Sequence, residues 1–315
     1  MNTASRMKRN RQTIFLIVFA AFSLCVTAFL ELRAQQPAQQ PSKAPAPPKE
    51  ELIIRVATYN VRGPSDRAPN SWKDRLPRMV RTIRENKFDL IGTQETLNGP
   101  IGDLCDALRF QSFGVGRDKR KGDEHNAVFY DPERFDVISQ ETFWLSADPE
   151  TPGSSAWDSS LPRICTWGLL QDRRTGKRFV IANTHLDHRS SMARIQGVNV
   201  ILTRLAPMIE KYPFILTGDF NSSADDMPVR RVLGVLRDAR DVSETDHYGA
   251  GDETFHDFHV NRRERSHRKP IDFIFVNDRV RVLSHGTIND FRNGLASSDH
   301  FPVTAEIVLL DAPEK

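Results

Sequence analysis

Cysteine is scarce: three in 315 residues, too few to frame a fold with disulfides. Glycine and proline follow no collagen-like period. No large excess of charge of either sign is present, since 44 Lys and Arg face 41 Asp and Glu for a formal +3. A clear exposed hydrophobic hairpin, which a lipid-acting enzyme would want, is also missing. With 39% hydrophobic and 27% charged residues, the chain is globular rather than wholly disordered. Its length suits two average domains or one large α/β domain.

One long apolar run exists, Ile14–Leu30, preceded by Arg6, Lys8, Arg9 and Arg11. This is a basic n-region followed by an h-region. Its 17 residues sit at the short edge of the ~17–25 that span a bilayer. Val26-Thr27-Ala28 supplies small residues for cleavage, with Leu32-Arg33-Ala34 a second option. Residues 1–34 thus read as a cleaved signal peptide, with an uncleaved anchor as the alternative. The protein is expected to be exported, secreted or periplasmic, and tied to a membrane only through an uncleaved 14–30. Leu24 before Cys25 argues against a lipoprotein site.

Residues 35–50, rich in Pro, Gln and Ala, cannot bury enough apolar surface to offset their ordering entropy and read as a tether. The folded domain is therefore 51–315. Residues 1–50 carry seven basic and two acidic side chains, leaving 37 basic against 39 acidic, about −2. The basicity belongs to the export segment, and a domain without a global positive field is not built to coat nucleic acid. Cys105 and Cys165 remain in the domain, paired or free.

Leu52–Tyr59 reads as a buried strand ending at Asn60. Ser71 and Asp74 form a capping-box start to a helix whose Leu76, Met79, Val80 and Ile83 share one face, with Pro77 as a kink. Strands follow at Phe88–Thr93, Asn126–Tyr130, Phe135–Leu145, Ile164–Gln171 and Phe179–Thr184. A helix is expected from about Ser190 to Met208, then a strand at Phe214–Thr217. Ile271–Val276 and Val280–Ser284 read as a strand pair joined at Asn277-Asp278, and Val303–Leu310 is the last strand. This mixed order suits two packed sheets flanked by helices. Phe88–Glu95 and Phe214–Asn221 resemble each other, each an apolar strand, a Gly and then an acid or amide.

Six times an apolar strand meets short polar residues: Asn60, Glu95, His185, Asp219 with Asn221, Asp272, and Asp299-His300. Singly, each has a bland reading as a turn cap, a core histidine or a turn former. Asp272, among buried apolar neighbours, needs a partner. Together they supply phosphoester chemistry. Glu95 and Asp299 suit a hard cation, Mg²⁺ or Mn²⁺. Asp219 would activate water, Asn221 would donate to phosphoryl oxygens, and His300 would pair with Asp272.

Ala57-Thr-Tyr-Asn60, Gln94-Glu95, Asn183-Thr-His185, Gly218-Asp-Phe-Asn221, Ile271-Asp272-Phe and Ser298-Asp-His300-Phe-Pro302 resemble, in order, the motifs of the endonuclease/exonuclease/phosphatase superfamily. The resemblance covers about 52–310 and implies a four-layer α/β sandwich with one site between sheet edges. It implies Asn60, Glu95 and Asp299 at the metal, and His185 and Asn221 on the phosphate. It implies Asp219 on the nucleophilic water and His300 with Asp272 as a dyad. Arg163-Ile-Cys-Thr-Trp-Gly168 and Phe143-Trp-Leu-Ser146 resemble the bacterial branch nearest to deadenylase- and nocturnin-like members. Arg163 is then a phosphate contact or a structural ion pair. Lys269-Pro-Ile-Asp-Phe-Ile departs from the inositol-polyphosphate phosphatase pattern, which lowers a phosphoinositide substrate.

The basic run Arg262, Arg263, Arg265, Arg268 and Lys269 either reaches the site mouth or is a solvated loop. Arg117, Lys119, Arg120 and Lys121 read as exposed, and Trp72, Trp144, Trp157 and Trp167 as packing. Two rivals remain: a dizinc hydrolase built on His185, Asp187 and His188, and a non-catalytic secreted binding domain. The expectation is a monomeric, divalent-metal-dependent phosphoester hydrolase. Nucleic acid, nucleotide, sugar phosphate or inositol phosphate all fit as substrate. Asn221-Ser-Ser223 is a glycosylation sequon expected to be unused, because glycosylation there would block the site.

Overall fold

The computed structural model describes residues 49–118, 123–251, 253–259 and 269–311. The chain divides into two units, Met1–Pro47 and Pro48–Lys315. The first unit, with the expected export segment and most of the tether, lies outside the described residues. So do Lys119, Arg120, Lys121, Arg262, Arg263, Arg265 and Arg268. Among the described residues no helix is long and apolar enough to cross a membrane.

The elements run β1 (Ile54–Asn60), α1 (Trp72–Glu85), β2 (Leu90–Gln94), α2 (Asn98–Leu108), β3 (Gln111–Phe113), β4 (Val128–Tyr130), β5 (Phe135–Trp144), β6 (Ile164–Asp172), β7 (Arg178–His185) and α3 (Ser191–Lys211). They continue β8 (Phe214–Asp219), α4 (Met227–Leu233), β9 (Arg237–Asp238), β10 (Tyr248–Gly249), β11 (Asp272–Val276), β12 (Val280–Thr287) and β13 (Val303–Leu309). Ser71 caps α1 as expected, its side chain accepting from the Asp74 N–H.

Two sheets form, in the orders β10-β12-β13-β1-β2-β4-β3 and β5-β6-β7-β8-β11-β9. Strand side chains alternate between faces, and here both faces are buried. Val56 of β1 enters the core between the sheets, whereas its neighbours Ala57 and Tyr59 pack under α1 and α2. In β7, Ile181 points between the sheets while Val180 and Ala182 meet Val198, Ile201 and Leu205 of α3. Helices therefore cover both outer faces, and the architecture is the four-layer α/β sandwich.

The paired strand reading of 271–284 is corrected. β11 pairs with β8 and β9 in one sheet, whereas β12 pairs with β13 and β10 in the other. The turn is held elsewhere: Asn277 Nδ2 donates to the Ile209 and Tyr212 carbonyls at 2.9 and 2.8 Å, and its Oδ1 accepts the Phe214 N–H. Anchored to the α3–β8 connection, the chain crosses between sheets instead of folding back.

A polar seam also joins the sheets. Asn183 Oδ1 accepts from Gln94 Nε2 at 2.7 Å and Thr217 Oγ1 at 3.1 Å, while its Nδ2 donates to the Thr93 and Ala127 carbonyls. Gly92 faces this seam, where a Cβ would lie 2.1 Å from Thr217 Oγ1 and 2.7 Å from Asn183 Oδ1. Gly92→Ala should lower stability by about 1–3 kcal/mol through overpacking. An unchanged midpoint in urea would show that the seam yields freely.

Candidate active site

β1, β2, β7 and β8 all end on one side of the sandwich, the usual place for sites in α/β sheets. There they deliver Asn60, Glu95, His185 and Asp219 in turn. β7–β8 pairing sets His185 beside Asp219, and β8–β11 pairing sets Asp272 on the other flank of Asp219. In the two look-alike segments, the residue three beyond the glycine adopts a left-handed backbone: Glu95 (φ 59°) and Asn221 (φ 46°). Such non-glycine conformations are uncommon, and here both turn a side chain into the site. A cavity of about 400 Å³ is lined by Glu95, His185, Asp219, Asn221, Asp299 and His300, together with Arg62, Arg117 and Arg163.

His300 Nδ1 lies 2.8 Å from Asp272 Oδ2, and its Nε2 lies 3.8 Å from Asp219 Oδ2. Burial disfavours the charged ring, but Asp272, Asp219 and Asp299 outweigh it and push its pKa up to about 10. His300 is therefore an imidazolium fixed by a carboxylate. Asp219 Oδ1 accepts the Asn221 N–H at 2.9 Å, and Oδ2 accepts Asn60 Nδ2 at 3.1 Å. Burial and the neighbouring Asp272 raise its pKa, while His300 pulls it back.

His185 behaves differently. Asn221 Nδ2 donates to the Leu186 carbonyl and to His185 Nε2, both at 3.0 Å. His185 Nε2 is thus an acceptor, and the ring is neutral with its proton on Nδ1. Burial, with Arg163 and Arg117 adding to it, also lowers its pKa well below the usual value. Both Asn221 amide protons are engaged, so the residue orients His185 at the cavity wall.

Glu95 Oε1 accepts Asn60 Nδ2 at 3.0 Å and Oε2 accepts the Gly63 N–H at 3.1 Å. Burial opposes its charge, but the Asn60 amide and the His300 cation prevail and its pKa is lowered. Asp299 Oδ2 sits 3.3 Å from Arg62 Nη1, with burial raising its pKa. Glu95 and Asp299 thus offer carboxylate oxygens that suit a hard divalent cation, whereas Asn60 turns its Nδ2 donor to Glu95 and its Oδ1 accepts the Arg62 N–H at 3.0 Å. A second grouping, Asp219, Asp272 and His300, has ligand atoms within 4.8 Å of one another. Its His300 Nδ1 is already held by Asp272.

Arg163 Nη2 donates to His188 Nδ1 at 2.9 Å and its Nε lies 3.5 Å from Asp187 Oδ2. It is both an ion-paired residue and part of the cavity wall. Asp187 is fully engaged: Oδ1 accepts the Arg189 and Ser190 N–H groups, and Oδ2 accepts Ser160 N–H and Oγ. No lone pair is left for a dizinc site there.

Sequence reasoning missed Arg62, Glu124 and Phe255, all in the cavity wall, and weighed His188, which also lines it, only as a zinc ligand. Arg117, read as exposed, is corrected: it is only 12% exposed and pairs with Glu124 at 2.7 Å. Its position in a basic run hid this. None of the four tryptophans lines the cavity. Trp72 Nε1 donates to Asp103, and Trp144 Nε1 to the Arg117 carbonyl. Cys105 and Cys165 are free.

Residues 57–300 match the Endonuclease/Exonuclease/phosphatase family. Drosophila melanogaster protein angel is 24% identical over 171 residues, covering 52% of this chain; the chain spans about half that relative's length, 48%. Among solved structures, an endonuclease/exonuclease/phosphatase from Bacteroides vulgatus is 33% identical, covering 82% of this chain and 99% of its own, with a TM-score of 0.76. The mannosyl-6-phosphatase Bt3783 of Bacteroides thetaiotaomicron is 32% identical over 81% of this chain and 100% of its own, with a TM-score of 0.73.

Proposed function

The chain belongs to the endonuclease/exonuclease/phosphatase family, and on that premise we propose that it hydrolyses a compact phosphate ester, a sugar phosphate foremost, by in-line attack of water. The observation that carries this reading is Asp219 set between neutral His185 and the Asp272–His300 dyad, facing an arginine-lined cavity. Asp219 Oδ2 orients the attacking water and accepts its proton. His300 Nε2, charged and buried, stabilises the negative phosphoryl oxygens, and Arg163 adds charge at the wall. Mg²⁺ or Mn²⁺ at Glu95 and Asp299, with Asn60 orienting Glu95, would neutralise charge developing on the phosphoryl group.

A cavity near 400 Å³ matches a sugar phosphate in size. The 32% identity to a mannosyl-6-phosphatase points the same way. A mononucleotide ester is the second reading, favoured by the Phe255 ring in the wall, 4.9 Å from the His300 ring.

The test is hydrolysis by the full-length chain, freed of metal and then given Mg²⁺ or Mn²⁺, across hexose 6-phosphates, inositol phosphates, nucleotides and oligonucleotides. Activity should vanish on metal removal and return on addition. Glu95→Gln should lose about 10²-fold or more at a fixed metal concentration. Undiminished hydrolysis by Glu95→Gln, or by the metal-free protein, would sink the assignment. Faster turnover of nucleotides than of hexose phosphates would favour the second reading.

A further inference from the structure

Asp219 and His300 lie buried in the active-site cavity, whereas Arg117, Glu124, Leu161 and His188 form a part of its wall that the phosphoryl chemistry leaves unused. Arg117 Nη1 meets Glu124 Oε2 at 2.7 Å. The pair is held by its backbone. The Arg117 N–H donates to the Glu124 carbonyl at 3.1 Å, and His125 exchanges main-chain bonds with Thr96, the residue after Glu95. Trp144 Nε1, from β5, donates to the Arg117 carbonyl. Only Oε2 of Glu124 is engaged among the described residues, so Oε1 is open to a donor.

His188 adds a donor of known sense. Arg163 Nη2, which can only donate, reaches its Nδ1 at 2.9 Å, so the ring proton is on Nε2. Burial and Arg163, with Arg117 adding to them, lower the His188 pKa, and the ring is neutral. Arg117 and Glu124 cancel in charge, so this stretch of wall is polar without being net positive. A leaving group with a second phosphate would gain Arg117 but meet the Glu124 carboxylate, whose charge is already opposed by burial and by Glu95. A neutral polyol meets no such conflict. Its adjacent hydroxyls donate to the Glu124 carboxylate, its oxygens accept from the other Arg117 N–H groups and from His188 Nε2, and Leu161 covers a C–H face.

We infer that Arg117, Glu124 and His188 form the specificity subsite of this hydrolase, reading neighbouring hydroxyls of a neutral sugar leaving group and rejecting one that carries a second phosphate. The inference rests on the phosphate-ester reading above and adds to it the residues that choose the ester. Selectivity arises on both sides, from hydroxyl bonds made to the right sugar and a carboxylate set against the wrong one.

The test is calorimetric titration of the full-length Asp219→Asn chain, with Mg²⁺, by a hexose 6-phosphate and by the hexose 1,6-bisphosphate. The same titrations are run with Glu124→Gln or Arg117→Gln added. The parent should prefer the monophosphate. Glu124→Gln leaves Arg117 unopposed; it should weaken monophosphate binding by about 10–10²-fold and shift preference toward the bisphosphate. Arg117→Gln leaves a bare carboxylate and should shift preference the other way, whereas a merely structural role would move both ligands together. Equal preference in all three folded proteins, or no binding of either ligand, would overturn the subsite. Hydrolysis of phenyl phosphate, which has no hydroxyls to read, by wild type and its loss in Glu95→Gln tests the active-site reading alone. Opposite shifts in binding without any turnover would overturn that reading and uphold the subsite.

Discussion

Asp219→Asn is expected to cut kcat by about 10⁴-fold, the upper range for losing a general base, with thermal stability unchanged or raised. The two effects have one cause. Asp219 is buried beside Asp272, so its carboxylate is held against burial and a like charge, and its pKa is raised. A carboxyl whose folded pKa exceeds its unfolded value costs stability once pH exceeds the unfolded pKa, and an amide removes that cost. The amide retains the acceptor used by the Asn221 N–H, yet it cannot take a proton from water. Asp272→Asn should act through His300 instead, since an amide oxygen neither fixes nor charges the ring as the 2.8 Å carboxylate does. Loss in Asp272→Asn combined with His300→Ala should be far from additive, because the two act as a unit. Single-turnover kinetics with a circular-dichroism melt reads both predictions. Near wild-type turnover by a folded Asp219→Asn would remove Asp219 from the water-activating role.

The strand ends were legible because each carries its chemistry in sequence. Asp272 stands among Ile271, Phe273, Ile274 and Phe275, where only a paired carboxylate belongs. Its partner His300 follows from the motif order, and the pair meets at hydrogen-bond distance. Most strands also declared themselves as apolar runs, since both faces of each sheet are covered. The misses have a common origin in contacts far along the chain. Asn277-Asp278 has turn chemistry, but its direction is set by carbonyls 65 and 68 residues earlier. α2 was overlooked because Gly99, Pro100 and Gly102 interrupt helical periodicity, while burial of Leu104 under the sheet holds it in place. Arg117 and Glu124 reach the site because backbone bridges of His125 to Thr96 and Gly116 hold their segment against the end of β2, where the two side chains pair. Local pattern reads strand ends; it does not read which loops meet across two sheets.

The largest stability loss is expected at Arg75, a residue with no chemical role. Its side chain rises from α1 fully buried and makes five bonds to main-chain carbonyls. Nε donates to Asn70, Nη1 to Val61 and Ser297, and Nη2 to Arg62 and Gly63, at 2.6–3.0 Å. Burial disfavours the charge and lowers its pKa, so replacing Arg75 by Met removes one penalty. It also orphans the carbonyls, of which those of Val61 and Ser297 are fully enclosed. Each buried unsatisfied acceptor costs about 1–3 kcal/mol, so the orphaned set outweighs the relief. Arg75→Met should therefore lose roughly 3–5 kcal/mol, comparable to breaking a buried ion pair. Arg75→Lys should rescue little, because one ammonium cannot span carbonyls that the planar fork reaches in two directions. The same bonds tie the segment after Asn60, whose Gly63 N–H holds Glu95, to the Ser297 carbonyl two residues before Asp299. Residual folded Arg75→Lys should accordingly need more Mg²⁺ for half-maximal rate at nearly unchanged kcat. Urea unfolding and a Mg²⁺ titration of activity read the two effects. A midpoint in Arg75→Met equal to wild type would show that these carbonyls find other donors.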